Sequence, residues 1–345
     1  MFQFFLKDVG IDLGTQSTRI YLKGRGILLT EPTIVAINIK TNKILATGYD
    51  AKKMQSRTPP HIHVIEPLES GVISDFEMTQ EFLRQILRRA NKQVFLNYRS
   101  AIVGVPSNLT EVERKSVEDA AMGAGARKAY LVEETVAATI GAGLPIHEPT
   151  SSMVIDIGHG TTDIAIISLG GAVVSKSLKI AGARFCTDII QFVREEFKLI
   201  IGEPTAEEVK IAVGSALPID EKLEYTIRGR DAASGLPREI VVKNTQIRMA
   251  LLRSLRQILD GIKEVIETAP PELSGDIYKH GVFLSGGSSL LRGIEQLISR
   301  ELTIKARVID DPMTATIRGI GMILEQFAYY QKFLENPYRP KEIQL

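Results

Sequence analysis

A twelve-residue pattern that occurs twice constrains the fold of this chain more than any other feature. Residues 11–22 read IDLGTQSTRIYL, and residues 155–166 read IDIGHGTTDIAI. In each copy an apolar strand runs into a Gly- and Thr-rich turn and a second apolar strand follows, which is typical of a β-hairpin. Two distant copies indicate two related domains rather than a repeat array. We expect each hairpin to present an Asp and a Gly-Thr turn to a shared cleft.

Composition excludes several classes of protein. The 345 residues fit two domains or four subdomains, and a hydrophobic content of 44% is enough for real cores. A net charge of +1 gives no electrostatic case for binding nucleic acid. Cys186 is the only cysteine, which excludes a disulfide framework and fits a reducing cytosol. No apolar run is long enough to span a membrane.

The first half reads as strands alternating with helices, which predicts an α/β domain. Thr110 with Glu113 three residues later forms a capping box, so a helix should begin there. The other predicted elements are a hairpin over 9–24, a second hairpin over 32–48, a helix over 79–93, a buried strand over 101–106 and a short strand over 129–132 followed by a helix to Gly141.

The second half repeats this plan. Thr205 with Glu208 forms a second capping box, which predicts a helix from Thr205 to Val213. Pro270-Pro271 should end a long amphipathic helix, and a Gly-Gly turn at 286–287 should lead into a helix from Leu290. The remaining predictions are a hairpin over 153–175, a helix near 184–199, two strands within 223–242, the long helix itself over 246–268 and a strand over 281–285.

The Gly-rich turns and their aspartates suit a nucleoside triphosphate. Such a ligand needs backbone N–H donors for its phosphate oxygens and a hard cation to spread their charge. Asp12 and Asp156 could hold the water shell of one Mg²⁺, although each could also be a turn-forming residue. The N–H donors would come from Gly14, Thr15 and Gln16 in one hairpin and from Gly158, His159, Gly160 and Thr161 in the other. Neither a P-loop nor a Rossmann glycine pattern is present.

Five segments, in this order, give the chain a resemblance to the actin/heat-shock ATPase/sugar kinase superfamily and, within it, to the MreB/Mbl family of bacterial actin-like proteins. The segments are IDLGTQST, VGVPSNLTEVERKSVEDAAMGAGARKAYLVEETVAATIGAGLPI, MVIDIGHGTTDIAIISLGG, IGEPTAEEVKIAVGSA and GVFLSGGSSLLRGI. The resemblance covers nearly the whole chain. It implies an α/β actin-like ATPase fold of two duplicated domains, each with a small inserted subdomain, around a central nucleotide cleft.

This resemblance implies boundaries for four subdomains. The first large subdomain would comprise 1–30 and 71–148, with 331–345 returning to it, and 31–70 would form the first small subdomain. The second large subdomain would comprise 149–182 and 246–330, and 183–245 would form the second small subdomain.

The resemblance also implies roles for individual residues. Glu134 would position the water that attacks the γ-phosphate of ATP, and Thr161 would assist it. The adenosine pocket would be lined by Glu207, Glu208, Val209 and Lys210, although Glu207 and Lys210 also have the spacing of an ordinary surface pair. The nucleotide would also contact Gly286, Gly287, Ser288 and Ser289.

Three positions depart from the family pattern. His159 stands where the middle glycine of a Gly-Gly-Gly run is usual, so its side chain must point away from the phosphates or contact them as an extra donor. Thr135 replaces the proline that usually follows Glu134, an exchange that we expect to loosen the turn beside this carboxylate. Ser288 replaces a third glycine.

Family resemblance further implies ATP and Mg²⁺ as cofactors, self-assembly into paired protofilaments, work with the cell-wall elongation machinery, and a cytoplasmic location at the inner face of the cell membrane. Membrane contact would use one or both of two apolar segments. One is Phe2, Phe4, Phe5 and Leu6, which could instead pack as a lead-in strand; the other is Val94, Phe95 and Leu96.

Three functions remain open on the sequence. The first is a filament-forming ATPase that sets rod shape during wall elongation, and the second is a nucleotide-binding scaffold that polymerises with little or no turnover. The third is a small-molecule kinase of the same superfamily, which would need a catalytic base that the sequence does not identify.

Overall fold

The computed structural model describes residues 7–55, 57–90 and 98–334. These residues form two compact units. One unit takes in the described residues up to Glu148, together with Leu169–Gly171 and the residues from Thr314 onward. The other unit takes in Pro149–Ser168 and Ala172–Met313.

The described elements up to residue 148 alternate strands with helices, as predicted. They are β1 (Asp8–Leu13), β2 (Ser17–Leu22), β3 (Gly26–Pro32), β4 (Val35–Asn38), β5 (Lys43–Thr47), α1 (Tyr49–Met54), β6 (Ile62–Ile65), β7 (Leu68–Glu69), β8 (Val72–Ile73), α2 (Phe76–Ala90), β9 (Ser100–Val105), α3 (Glu111–Gly123), β10 (Ala129–Glu133) and α4 (Glu134–Gly141).

The rest of the described chain repeats this alternation. Its elements are β11 (Ser152–Ile157), β12 (Thr162–Ser168), β13 (Gly171–Leu178), α5 (Gly182–Phe197), β14 (Leu199–Ile200), α6 (Glu203–Val213), β15 (Glu224–Asp231), β16 (Pro237–Lys243), α7 (Asn244–Thr268), α8 (Pro271–His280), β17 (Val282–Ser285), α9 (Ile294–Leu302), β18 (Ala306–Val308), α10 (Ala315–Glu325) and α11 (Phe327–Tyr330).

The main sheet of the first unit is built around the first copy of the duplicated pattern. Its strand order is β10-β9-β1-β2-β3. Strand β1 pairs antiparallel with β2 and parallel with β9, and every residue of β1 and β9 is buried. Continuous apolar runs of this kind are expected of strands that are covered on both faces. The hairpin turn therefore lies at the carboxyl end of a buried central strand.

The main sheet of the second unit has the same local plan. Its order is β13-β12-β11-β17-β18, with β11 antiparallel to β12 and parallel to β17. Asp12 is the penultimate residue of β1, and Asp156 is the penultimate residue of β11. The two hairpins predicted from the repeat are thus confirmed, and their aspartates occupy the same place in each sheet.

Smaller sheets accompany each main sheet. In the first unit β5, β4 and β6 form a three-stranded sheet, and in the second unit β14, β15 and β16 form another. The capping box at Thr110 is confirmed, because its hydroxyl accepts from the Glu113 N–H while the Glu113 carboxylate accepts from the Thr110 N–H.

The prediction for α6 was wrong at its start. The helix begins at Glu203 after an extended Gly202, so Thr205 lies inside the first turn and does not cap it. The physical reason is Pro204, which needs no hydrogen-bond partner at the start of a helix and has a suitable φ. The proline in the first turn therefore sets where α6 begins, and Thr205 and Glu208 do not form a capping box there.

Two predictions around the end of α7 also need correction. Pro270-Pro271 follows α7 as expected, but Pro271 then opens α8, a helix that the sequence analysis missed. The helix expected from Leu290 begins at Ile294 instead, because residues 287–290 form a 3-10 turn and Gly293 has a φ of 78°. The glycine turn therefore does not lead directly into an α-helix.

The return of the chain to the first unit begins earlier than the predicted residue 331. Helix α10, from Ala315, already belongs to this unit and packs on α4, β1 and β2. The backbones of α10 and α4 approach closely because each helix has a glycine at the contact, Gly319 in α10 and Gly141 in α4. A Cβ on Gly319 would overlap the carbonyl oxygen of Ala137, and a Cβ on Gly141 would overlap that of Ala315. Only glycine permits this distance between the two helix backbones.

We predict that Gly319→Ala lowers the free energy of unfolding by about 1–3 kcal/mol, since the added methyl must push α4 and α10 apart. The measurement is thermal or denaturant unfolding followed by circular dichroism. Gly275→Ala in α8 is the control, because a Cβ there would meet no atom within 4 Å. It should be neutral or stabilise by up to about 1 kcal/mol. Equal stability of the two variants would contradict the close packing of α4 on α10.

Candidate functional site

The second hairpin turn is closed by its own backbone and held by a serine. The Gly158 N–H donates to the Thr161 carbonyl oxygen at 2.9 Å. The Gly158 carbonyl accepts from the Ser288 hydroxyl at 2.7 Å and from the Gly182 N–H at 3.2 Å. A trans peptide is planar, with its C=O and N–H pointing in opposite directions. Holding the Gly158 carbonyl therefore aims the His159 N–H away from Ser288 and α5.

The next peptide of this turn is fixed in the same way. The His159 carbonyl accepts from the Ala183 N–H, in the first turn of α5, at 2.8 Å. The Gly160 N–H must then point to the opposite side. Within the part of the chain that the structure describes, the N–H groups of His159 and Gly160 donate to no acceptor. Successive N–H groups that face one way form a site for an anion such as phosphate.

The first hairpin turn is held by a different residue. The Gly14 carbonyl accepts from the Thr33 hydroxyl at 2.7 Å, and the Gln16 carbonyl accepts from the Thr33 N–H at 3.0 Å. The Thr15 hydroxyl accepts from the Gly71 N–H at 2.9 Å. The Thr15 N–H shares a peptide plane with the Gly14 carbonyl, so it points away from Thr33. Among the described residues it has no acceptor.

Each predicted metal-binding aspartate is buried and oriented by a neighbour within its own unit. The Asp12 carboxylate accepts from the Arg19 guanidinium at 3.0 Å, and that of Asp156 accepts from the Ser285 hydroxyl at 2.8 Å. Burial raises the pKa of Asp12 above its ordinary value, and the positive charge of Arg19 opposes this rise without cancelling it. Hydrogen bonding thus holds both carboxylates in defined orientations.

The donor set fits a cation held largely by water and phosphate. Across the described ranges there is no group of three or more His, Cys, Asp or Glu side chains placed to bind a metal ion directly. Mg²⁺ usually keeps several waters and takes one or two carboxylates together with substrate phosphates. Asp12 and Asp156, each taken within its own unit, have the carboxylate chemistry to accept from a coordinated water.

The glycine turn after β17 cannot carry a side chain at its first position. Gly286 has a φ of 81°, and a Cβ there would overlap the Ile157 carbonyl and lie 2.5 Å from an oxygen of Asp156. The Ser289 hydroxyl donates to the Gly286 carbonyl at 2.6 Å, so it holds the turn itself. A Cβ on Gly287 would meet no atom within 4 Å, so space beside the turn remains open.

Two of the four residues predicted for the adenosine pocket lie together on one face of α6. The Lys210 ammonium lies 2.7 Å from the Glu207 carboxylate and donates to the Gly182 carbonyl at 3.3 Å. Burial tends to raise the pKa of Glu207, but the charge and hydrogen bond of Lys210 outweigh it and leave that pKa below its ordinary value. Glu207 is therefore an ionised acceptor on a half-buried surface.

The other two residues lie elsewhere. Val209 is fully buried in the core of the second unit, so its side chain does not face Glu207. Glu208 is exposed and accepts from the Tyr225 hydroxyl at 3.2 Å. The helical period explains this division, because residues three apart share a face and adjacent residues do not. Of the four predicted residues, Glu207 and Lys210 are thus the two whose side chains lie together.

The side chain of His159 lies near α5 and α6. Its Nε2 lies 3.7 Å from the Glu203 carboxylate, and its Nδ1 lies 3.2 Å from the point that a Cβ on Gly182 would occupy. The Lys210 ammonium lies 3.2 Å from that same point. The imidazole is therefore on the α5 side of the turn, together with the bonded carbonyls. The N–H groups of His159 and Gly160 therefore point to the other side of the turn from the imidazole, and Gly160 itself is buried.

The two predicted catalytic residues belong to different units. Glu134 is the first residue of α4 and is partly buried; its Cγ lies 3.6 Å from where a Cβ on Gly104 would be. Thr161 is buried at the closure of the second hairpin turn. Thr135 is also fully buried, and its hydroxyl lies 3.5 Å from that of Ser107. Side-chain packing thus holds the turn where a proline ring is usual.

The predicted membrane-contact residues, Phe2, Phe4, Phe5, Leu6, Val94, Phe95 and Leu96, lie outside the described residues. None of the helices that the structure describes has both the length and the apolar character required to cross a bilayer.

Thr33 is a functional candidate that the sequence analysis missed, as are Arg19 and Ser285. The register between β2 and β3 could have predicted the position of Thr33. Ser17 lies opposite Pro32 in the β2–β3 register, so the residue after Pro32 must lie beside the turn that precedes Ser17. A hydroxyl residue at this place can bond to the turn carbonyls.

Comparison with known proteins gives one consistent result. Residues 6–332 match the family model described as MreB/Mbl protein. The chain is 43% identical over 321 residues to the cell shape-determining protein Mbl of Bacillus subtilis, covering 93% of this chain and 96% of that protein. It is 44% identical over 326 residues to the cell shape-determining protein MreB of Escherichia coli, covering 93% of this chain and 94% of that protein. The crystal structure of MreB5 of Spiroplasma citri bound to AMPPNP is similar with a TM-score of 0.91 and 35% identity, covering 95% and 98%.

We predict that the thiol of Cys186, beside the Glu207–Lys210 pair, does not react in the folded protein. Burial raises its pKa to about 12, and only the thiolate is a nucleophile. Ellman's reagent at about pH 8 should label the guanidinium-unfolded chain completely and the folded chain very slowly. Since the chain has a single cysteine, the unfolded sample is an internal control. Equally fast labelling of both samples would show that the thiol is neither buried nor held protonated.

Proposed function

Because the chain belongs to the MreB/Mbl protein family, we propose that it is an ATP-binding, actin-like cytoskeletal protein that polymerises and organises cell-wall elongation and rod shape. One observation carries the nucleotide part of this proposal. Both copies of the duplicated hairpin have their turn carbonyls bonded on one side, which leaves N–H groups available on the other. A buried aspartate precedes each turn.

The ligand that best fits these groups is ATP with Mg²⁺. The phosphate oxygens would accept from the N–H groups of Thr15, His159 and Gly160. The ionised Glu207 would accept from the ribose hydroxyls, and the open side of Gly287 would admit the nucleoside. A similar protein, MreB5 of Spiroplasma citri, has been crystallised with AMPPNP, an analogue of ATP, and with ADP.

The Mg²⁺ ion would spread the charge of the phosphates. Asp12 and Asp156 would accept hydrogen bonds from its coordinated waters. Arg19 and Ser285 hold these carboxylates in place, so little side-chain entropy would be lost when the nucleotide binds.

We favour hydrolysis over a scaffold without turnover. In this proposal Glu134 positions the attacking water and Thr161 assists it. None of the three family departures removes a group that the reaction needs: the His159 imidazole lies on the carbonyl side of its turn, Thr135 is packed inside the protein, and the Ser288 hydroxyl holds the Gly158 carbonyl. We do not propose the kinase function, which would need a separate catalytic base beside the nucleotide.

We predict that Glu134→Ala lowers ATP-dependent phosphate release about 100-fold while ATP affinity stays within about twofold, because the carboxylate acts on the attacking water. The measurement is phosphate release per mole of protein, with affinity from a fluorescent ATP analogue. Glu111→Ala, on the exposed first turn of α3, is the matched control. Equal, very slow release by the wild type and Glu134→Ala would favour the scaffold without turnover.

The proposed filaments would lie on the inner face of the cell membrane. Residues 2–6 and 94–96 would insert a few apolar side chains into the lipid. Such a short apolar segment holds weakly alone, so stable attachment would require many copies along one filament.

We predict that the wild-type protein pellets with ATP and pellets further with anionic liposomes. Deleting residues 2–6 and introducing Phe95→Ser should reduce co-sedimentation with liposomes by about tenfold, because binding multiplies along the filament. Pelleting with ATP alone should persist, which serves as the control for assembly. Full liposome binding by the doubly changed chain would refute the membrane assignment, and a protein that stays in solution with ATP and lipid would refute the filament.

A further inference from the structure

We propose that Thr33 is a positioning residue for the nucleotide: its hydroxyl holds the first hairpin turn in the orientation that phosphate binding requires. The inference rests on the proposed ATP site and adds to it a residue that makes no contact with the ligand. Thr33 lies between β3 and β4, outside both copies of the duplicated pattern.

The bonds of Thr33 are concentrated on one turn. It is 1% exposed. Its hydroxyl donates to the Gly14 carbonyl at 2.7 Å and lies 2.8 Å from the hydroxyl of Thr18. Its N–H donates to the Gln16 carbonyl at 3.0 Å. One hydroxyl has one proton and two acceptor sites, so Thr33 can donate to Gly14 while it accepts from Thr18.

These bonds fix two peptide planes of the turn. The Gly14 carbonyl shares its plane with the Thr15 N–H, and the Gln16 carbonyl shares its plane with the Ser17 N–H. While Thr33 holds both carbonyls, the Thr15 N–H can point only to the opposite side of the turn. Without the hydroxyl, the plane between Gly14 and Thr15 could rotate, since glycine accepts a wide range of backbone angles. Binding of phosphate would then carry the cost of ordering this peptide.

The second unit contains the same arrangement from an unrelated segment. The Ser288 hydroxyl donates to the Gly158 carbonyl at 2.7 Å. Gly158 occupies the place of Gly14 in the duplicated pattern, so in each unit a hydroxyl holds the first glycine carbonyl of the turn. The donor in one unit follows β3, and the donor in the other follows β17. The same hydroxyl-to-carbonyl bond therefore occurs in both units although the segments that supply the hydroxyl differ in sequence. This favours the geometry of the turn as the reason for the hydroxyl.

Four variants test the inference. Thr33→Val and Thr33→Ala remove the hydroxyl, while Thr33→Ser keeps it. Thr139→Val is the matched control: Thr139 is fully buried in the same unit, and its hydroxyl donates to the Thr135 carbonyl at 2.7 Å. For each full-length chain, ATP affinity is measured with Mg²⁺ by calorimetry, and the unfolding temperature is measured without nucleotide.

We expect Thr33→Val and Thr33→Ala to weaken ATP binding by about three- to tenfold, the effect of one hydrogen bond. Thr33→Ser should restore affinity to within about twofold, and Thr139→Val should lower the unfolding temperature without weakening ATP binding. This combination separates a positioning role from a general loss of stability.

The inference fails if Thr33→Val and Thr33→Ala bind ATP as tightly as the wild type, or if Thr139→Val weakens binding as much. It also fails if neither hydroxyl-free variant folds whereas Thr33→Ser does, because the hydroxyl would then be needed for folding. If the wild type itself binds no ATP, the proposed function fails first and the positioning role with it.

Discussion

The orientation of peptide planes in two hairpin turns is the constraint on which the proposed nucleotide site depends. Each turn has its carbonyls bonded to a hydroxyl and to backbone N–H groups of its own unit. A planar peptide cannot turn its C=O one way without turning its N–H the other way. In the proposed function, the anion site therefore depends on bonds made to the far side of each turn, among them those of the Thr33 and Ser288 hydroxyls. The His159 imidazole lies on that same far side, which explains how this position tolerates a side chain.

Hydrophobic burial brings the turns and aspartates to the same place in each unit. Strands β1 and β11 are buried along their whole length, and each is flanked by one antiparallel and one parallel neighbour. A slip of one residue would put the apolar side chains on the wrong face, so the register is strongly fixed. Asp12 and Asp156 are consequently held at the carboxyl ends of central strands, where ligands of α/β sheets usually bind. Their burial follows from that position and is compensated by Arg19 and Ser285.

Sequence reasoning succeeded where the signal was local. The duplicated hairpins and the capping box at Thr110 both depend on residues within one hairpin or one helix. It failed at Pro270-Pro271, because proline can follow the end of one helix and can also begin the next. Pro271 is the first residue of α8. It also failed for contacts made across long separations: Ser288 reaches Gly158 across 130 residues, and no spacing rule anticipates that bond. Thr33 is intermediate, since it follows from strand register once the hairpins are known.

The late return of the chain at Thr314 has a consequence for how the protein is made. Apart from Leu169–Gly171, the second unit is a continuous stretch from Pro149 to Met313, so all of it precedes α10 in the chain. The first unit begins earlier but lacks α10, which covers β1 and β2, until the last part of the chain emerges. The nascent protein therefore finishes its amino-terminal unit last. Until then the apolar surface that α10 will cover is exposed to chaperones and to other nascent chains.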